Sequence, residues 1–175
     1  MEAYIAWVKE NPLWSAALQF GLLGTLGETI AVSIRCRRLA LPGNWWQTIA
    51  KIIAWGVLGI VIKYGFAGMR GFLAALIDHA LLPSALATGF GWAFTLSTLT
   101  NIFFGPQMML FHRLEDNLIA RKLDMTGLAT AWWTLLWFWI PAHTVTFLLP
   151  VELQIGLAAV WSVVLGVILG AAKRK

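Results

Sequence analysis

Five long apolar stretches, each about the length of a membrane-spanning helix, divide the chain. They cover residues 13–34, 45–66, 81–104, 128–149 and 153–172. An α-helix crosses the hydrocarbon core of a bilayer with about 20 mostly apolar residues. The pattern therefore predicts an all-α, polytopic transmembrane helical bundle of about five spans, in which residues 1–175 form a single domain. A short interfacial helix over residues 2–10 is expected before the break at Asn11–Pro12.

The third stretch is the least regular part of the pattern. Residues 70–112 are longer than one span requires. Residues 71–80 could form an interfacial helix, or the third helix could be long, tilted or kinked at Pro83. Both alternatives are compatible with the sequence.

Two prolines interrupt the fourth apolar stretch. Pro141 is expected to kink the helix and Pro150 to end it, because proline lacks the backbone N–H group and clashes with the preceding turn. Thr144 and Thr146 are placed to satisfy the carbonyl groups that the proline leaves free. Between the prolines lies His143, which is either a proton-sensitive group in the span or a hydrogen-bonded packing residue.

The composition agrees with a membrane protein and argues against a soluble one. The chain is 59% hydrophobic and 12% charged, whereas a typical soluble domain has about 45–50% apolar and about 25% charged residues. The net charge of +5 does not require nucleic acid as a partner, because basic residues collect in the cytoplasmic loops of membrane proteins.

The positions of the basic residues predict the orientation. With five spans, ten of the thirteen Lys and Arg residues fall on one side, which predicts that the N-terminus lies outside and the C-terminus in the cytoplasm. A bacterial cytoplasmic (inner) membrane is the expected location, with an organelle membrane as the alternative, and residues 112–125 form a charged cytoplasmic segment. The ten residues are Arg35, Arg37, Arg38, Lys51, Arg113, Arg121, Lys122, Lys173, Arg174 and Lys175.

Glu28 is the clearest candidate for a functional polar group inside a span, because a charge at membrane depth is costly. It follows Gly21, Gly24 and Gly27, which share one helix face and allow another helix to approach closely. Glu28 is therefore expected to face the bundle interior, where it either lines a solute path or pairs with a buried Lys or Arg.

Polar residues of the third span recur on one helical face. This stripe either lines a polar path with Glu28 and His143 or supplies interhelical hydrogen bonds. Its members are Ser84, Thr88, Gly91, Thr95, Thr98 and Asn101.

Four charged or titratable residues are candidates for an outer mouth: Lys63, Arg70, Asp78 and His79. Each of these residues also has an interpretation that requires no outer mouth. Long basic side chains near a helix end extend toward the interface, and Asp78 could cap the start of the third helix.

Known catalytic and metal-binding patterns are missing from the sequence. The three His and one Cys are scattered, so we expect neither a metal site nor a cofactor. His112 and Asp116 lie one helical turn apart and would suit a lipid enzyme only if they bordered a cavity at headgroup depth. We expect that the protein is not an enzyme.

The chain resembles the Mpv-seventeen and twenty-two-kilodalton peroxisomal membrane protein family of small helical membrane proteins. Asn11–Pro12 followed by "GTLGE", "LIDHALLP" over residues 76–83, and a C-terminal series carry the resemblance, with Glu28 and Asp78 at the positions of family acids. The C-terminal series is Trp139, Pro141, Thr146, Phe147, Pro150 and Gln154, in which Thr146 and Gln154 replace an Asn and an Arg of the family. The resemblance implies a channel-like protein for small solutes.

Two functional hypotheses follow. The first is an integral membrane channel or transporter for small polar or ionic solutes, with a path lined by Glu28, Thr88, Thr95, Thr98, Asn101 and His143. The second is a non-transporting assembly or accessory subunit that packs against a partner membrane protein. Membrane lipids, a small solute or ion, and a second copy or another membrane protein are the expected partners, and nucleic acid is not.

Overall fold

A computed structural model describes the backbone of residues 1–172 and the side chains of residues 1–168. The predicted all-α class is confirmed, and this part of the chain contains no β-strand. The helices are α1 (Glu2–Glu10), α2 (Pro12–Cys36), α3 (Trp45–Asp78), α4 (Gly89–Leu99), α5 (Gly105–Ala120), α6 (Leu128–Thr134), α7 (Ile140–Phe147) and α8 (Val151–Ala172). The basic residues 173–175 lie outside the described residues.

Two π-helical segments each connect two α-helices into one longer continuous helix. Segment π1 (Thr100–Phe104) joins α4 to α5, and segment π2 (Leu135–Trp139) joins α6 to α7. Pro106 and Pro141 are the second residues of α5 and α7, the helices that follow these segments. A π-helical segment inserts an extra residue into the turn and changes the direction of the residues that follow, so the expected irregularity at Pro141 takes this form.

Within the described residues, three helices are long and apolar enough to cross a membrane. They are Pro12–Cys36, Trp45–Asp78 and, within α8, Val151–Ile168. Many large apolar side chains on the surface are exposed, among them Trp14, Leu22 and Ile53. Water would not favour such a surface, whereas lipid would, so the structure agrees with a membrane location.

Helix α3 differs from the predicted second span. It does not end near Phe66 but continues to Asp78, for 34 residues, or about 51 Å at 1.5 Å per residue. Gly68 and Gly71 do not stop it, because a glycine costs a helix only about 1 kcal/mol and buried Phe66 and Leu73 hold the helix to its neighbours.

Other predicted boundaries shift as a result. Residues 71–78 are the end of α3 and not a separate interfacial helix, and Pro83 lies in the connection before a 3₁₀ turn, Ser84–Leu86. The third apolar helix begins at Gly89 rather than near residue 81. In the charged segment 112–125, residues up to Ala120 belong to α5.

Helix α2 is the centre of the bundle and packs against α3 on one side and α8 on the other. Glycines make both contacts close. A Cβ atom on Gly59 of α3 would lie 2.5 Å from the carbonyl oxygen of Ala16, and one on Gly166 of α8 would lie 2.6 Å from that of Gly27. The pairs α4–α7 and α3–α5 complete the bundle around a core that includes Phe20, Leu58, Phe66 and Leu96.

The close contact at Gly59 gives a stability prediction. Gly59→Ala is expected to lower the free energy of unfolding by about 1–3 kcal/mol, because the new methyl group overlaps the backbone of α2. Gly68→Ala on the same helix is the control, since nothing lies within 4 Å of its Cβ position. Thermal unfolding in detergent micelles measures both variants, and equal melting temperatures would contradict the packing described here.

Candidate functional site

A cavity of about 510 Å³ lies inside the bundle between α2, α3, α5, α7 and α8. At one end its lining includes the exposed residues Thr126, Gly127 and Thr130, and elsewhere the buried residues Asn101 and His143. The cavity therefore has a mouth near the α5–α6 loop and a buried inner end.

A charged cluster of Glu28, Lys51 and Asp116 lies near the mouth. The Lys51 ammonium nitrogen is 2.6 Å from Oε2 of Glu28 and 2.6 Å from Oδ1 of Asp116. The indole Nε1 of Trp55 donates a hydrogen bond of 2.7 Å to the other oxygen of Glu28. Lys51 on α3 thus connects Glu28 on α2 with Asp116 on α5. The sequence left open whether Glu28 lines a solute path or pairs with a buried basic residue, and the ion pair with a lysine is present.

His112 lies beside this cluster and lines the cavity. Its ring centroid is 4.3 Å from that of Trp55, and its Nε2 is 3.9 Å from Oδ2 of Asp116. That distance exceeds a hydrogen bond, and the other oxygen of Asp116 already binds Lys51. His112 and Asp116 therefore lie near a cavity, as a lipid enzyme would require, but they do not form a hydrogen-bonded acid–base pair.

Three ligand atoms of Glu28, His112 and Asp116 lie within 4.8 Å of one another. Carboxylate oxygens and an imidazole are suitable donors for a divalent metal ion. The ammonium group of Lys51, however, already lies within 2.6 Å of both carboxylates. This arrangement is complete as an ion-pair network, with the lysine as its cation.

Asn101 and His143 form a buried pair at the inner end. The side-chain amide nitrogen of Asn101 donates to the carbonyl oxygen of Ser97 at 2.8 Å and lies 3.1 Å from Nδ1 of His143. Because the carbonyl can only accept, this nitrogen is a donor, and Nδ1 of His143 is then the acceptor. In the neutral ring the proton therefore lies on Nε2.

Aromatic rings close the inner end of the cavity. The ring of Phe66 lies edge-on to His143 at 5.2 Å and to Phe147 at 4.8 Å between centroids. Trp139 lies 5.0 Å from His143 on another side. The lining of the cavity reaches Phe66 on α3 and Ala158 on α8. Arg70 and Gln154 lie one helical turn beyond them, and the Arg70 guanidinium donates to the Gln154 amide oxygen.

The structure brings together three of the six predicted path residues. Glu28, Asn101 and His143 all line the cavity. Thr88, Thr95 and Thr98 do not: Thr88 is exposed before α4, and the Thr98 hydroxyl donates to the carbonyl oxygen of Phe94.

The four predicted mouth residues do not line the cavity. Asp78 is the last residue of α3 and His79 follows it, both exposed, so Asp78 does not cap the start of the third apolar helix. Lys63 and Arg70 lie on α3 and are half-buried.

A structured loop forms the rim of the mouth. The backbone N–H of Asp124 donates to the side chain of Asn117, and both the N–H and the hydroxyl of Thr126 donate to Asp124. The hydrogen bonds from Thr126 lower the pKa of the exposed Asp124 carboxyl group. Arg113 also lines the mouth, and sequence reasoning did not single it out because an arginine in a charged segment is usually solvated.

No protein-family model matches the chain, and neither a curated protein nor a solved structure is significantly similar to it.

Proposed function

We propose that the protein is an integral membrane channel or transporter for small polar or ionic solutes. The observation that carries the proposal is the cavity of about 510 Å³, which Glu28 lines near the mouth and Asn101 and His143 line at the inner end. These residues come from α2, π1 and α7, far apart in the sequence. Polar groups inside membrane helices usually mark a solute path or a binding site.

The proposed topology has five membrane crossings, with the N-terminus outside and the C-terminus in the cytoplasm. The three long apolar helices supply three crossings. Continuous helical segments over residues 89–120 and 128–147 are long enough for the other two. With this topology the mouth of the cavity faces the side that carries the excess of basic residues, which is the predicted cytoplasmic side.

The closed inner end fits a protein that moves solute in steps. The cavity lining ends at Phe66 on α3 and at His143 on α7, and the ring of Phe66 packs against His143 and Phe147. Conduction would require these rings to move, as in gates formed by apolar constrictions. The resemblance to the Mpv-seventeen family supports the same class of function, with Glu28 at the position of a family acid.

A blocking substitution at the mouth tests the proposal. Thr130 is exposed and lines the mouth, so Thr130→Trp is expected to fold normally and to obstruct solute entry. Ala129→Trp is the matched control, because the neighbouring Ala129 is exposed but does not line the cavity.

The measurement is the flux of ions and uncharged polar solutes through purified protein in liposomes. Wild type and Ala129→Trp are expected to conduct equally, and Thr130→Trp several-fold less. If none of the three conducts any solute although all are folded and inserted, the transport proposal fails and the accessory-subunit hypothesis takes its place.

A further inference from the structure

The two π-helical segments lie next to each other beside the cavity. Segments π1 and π2 are in contact, and Thr100, the first residue of π1, and Trp139, the last residue of π2, both line the cavity. π-helical turns are rare and frequently occur at functional sites, because they cost regular hydrogen bonds and aim side chains differently. Two of them at one cavity indicate a constructed site.

Each π segment presents a buried polar group without a protein partner. Thr100 is 1% exposed and Trp139 is 7% exposed. Within the described part of the chain, neither the Thr100 hydroxyl nor the Trp139 indole Nε1 has a hydrogen-bond partner. Buried polar groups nearly always have one, so each of these two groups can still form a hydrogen bond.

The chemistry of these groups defines what they can bind. An indole N–H can only donate a hydrogen bond, and a threonine hydroxyl can donate as well as accept. His143 adds a third donor, because its Nδ1 accepts from Asn101 and its proton therefore lies on Nε2. A ligand at the inner end must offer acceptor oxygens.

The charge of the inner end excludes an ionised ligand there. Thr100, Asn101, Trp139 and His143 provide no fixed positive charge, and burying an unpaired ion is very costly. The remaining walls are largely apolar, with Phe20, Leu58, Ile62 and Met109 among them.

We infer that the adjacent π segments form the inner end of a binding site for a small uncharged molecule that has a carbonyl oxygen and an apolar body. The carbonyl accepts from the Trp139 indole and the Thr100 hydroxyl, and the apolar body lies along the cavity wall. That this molecule is the transported solute rests on the proposed function. That such a molecule binds at this site can be tested independently of transport.

The test uses butyramide as the ligand and butyrate as its charged counterpart of similar shape. Protein labelled with ¹⁵N at the tryptophan indoles is titrated in detergent micelles, and Trp139→Phe identifies the Trp139 signal among those of the eleven tryptophans. Butyramide is expected to shift the Trp139 indole proton downfield, whereas butyrate at pH 8 is expected to leave it unchanged. An unchanged signal with butyramide, or equal shifts with both compounds, overturns the inference.

Calorimetric titration of variants supplies the second measurement. Thr100→Val and Trp139→Phe are each expected to weaken butyramide binding by about tenfold, the usual effect of one lost hydrogen bond in a buried site. Thr98→Val and Trp137→Phe are the controls, because neither residue lines the cavity. Unchanged affinity in both test variants contradicts the site.

The two proposals fail in different ways. Butyramide binding that depends on Trp139, in a protein that conducts nothing, would support the site and defeat the transport function. If Thr130→Trp reduces the flux but butyramide does not shift the Trp139 indole signal, the transport function is supported and this inference is contradicted.

Discussion

Lys51→Met is expected to lower the free energy of unfolding by about 3 kcal/mol, which is the low end for breaking a buried ion pair by removing one partner. The lysine side chain is 14% exposed, and its two carboxylate partners are 22% and 28% exposed. Without the ammonium group, Glu28 and Asp116 would be two like charges near each other in a place where water reaches them poorly. The loss therefore exceeds the value of an ordinary surface salt bridge.

Chemical unfolding in detergent micelles measures this loss. Lys122→Met is the control, because Lys122 is 76% exposed and lies 4.0 Å from Asp124; its removal is expected to change stability by less than about 1 kcal/mol. The double variant with Lys51→Met and Glu28→Gln is expected to recover part of the loss, because it removes one of the two uncompensated charges. If Lys51→Met is as stable as Lys122→Met, the three-residue cluster does not stabilise the bundle.

Phe66→Ala is expected to combine the largest loss of stability with a gain of flux. Truncating a buried Phe to Ala costs about 3–5 kcal/mol, from lost burial and from the space left behind, and Phe66 is 1% exposed. Since its ring packs edge-on against His143 and Phe147 at the closed end of the cavity, the same change lengthens the cavity toward Arg70. Solute should then cross faster and with less discrimination.

Paired measurements of unfolding and liposome flux on the same preparations test this expectation. Phe72→Ala is the matched control on α3, because Phe72 is 38% exposed and does not line the cavity. It should leave both quantities nearly unchanged. A stable, inserted Phe66→Ala protein with unaltered flux would show that these rings do not limit the path.

The sequence was sufficient to predict the helical class, because runs of apolar residues reflect the solvent around a helix. It was less informative about helix ends. The second apolar stretch was expected to end at residue 66, whereas α3 continues through Gly68 and Gly71 to Asp78. Glycine weakens a helix by a small amount that packing of Phe66 and Leu73 overcomes, and packing partners cannot be read from one segment.

Three residues that line the cavity were singled out from the sequence, but their arrangement was not predictable. Glu28, Asn101 and His143 stood out because polar groups are rare in apolar spans. Lys51 and Trp55, the partners of Glu28, did not stand out, because they lie on another helix, and Asp116 was singled out only together with His112. No regular feature of the sequence marks such pairs.

The polar stripe on the third span shows a different limit. A regular helix with 3.6 residues per turn would align Thr88, Thr95, Thr98 and Asn101 on one face. Within α4 the buried residues are Ala93, Leu96 and Ser97, followed by Thr100 and Asn101 of π1, so the face that carries Thr95 and Thr98 is not the one that packs inward. The Ser97 hydroxyl instead donates to the carbonyl oxygen of Ile140, which lies just before Pro141.

The length of α3 has a consequence for how the protein can be oriented experimentally. With 34 residues against 25 in α2, α3 is about 14 Å longer than the helix it packs against. A rod of that length cannot fit within a hydrocarbon layer of about 30 Å even when strongly tilted. In the proposed topology, in which residues 45–66 cross the bilayer, the end of α3 and the connection over residues 79–88 would lie above the lipid on one side. A protease sealed out of a vesicle can cut this connection only when that side faces outward, which makes it an intrinsic marker of sidedness.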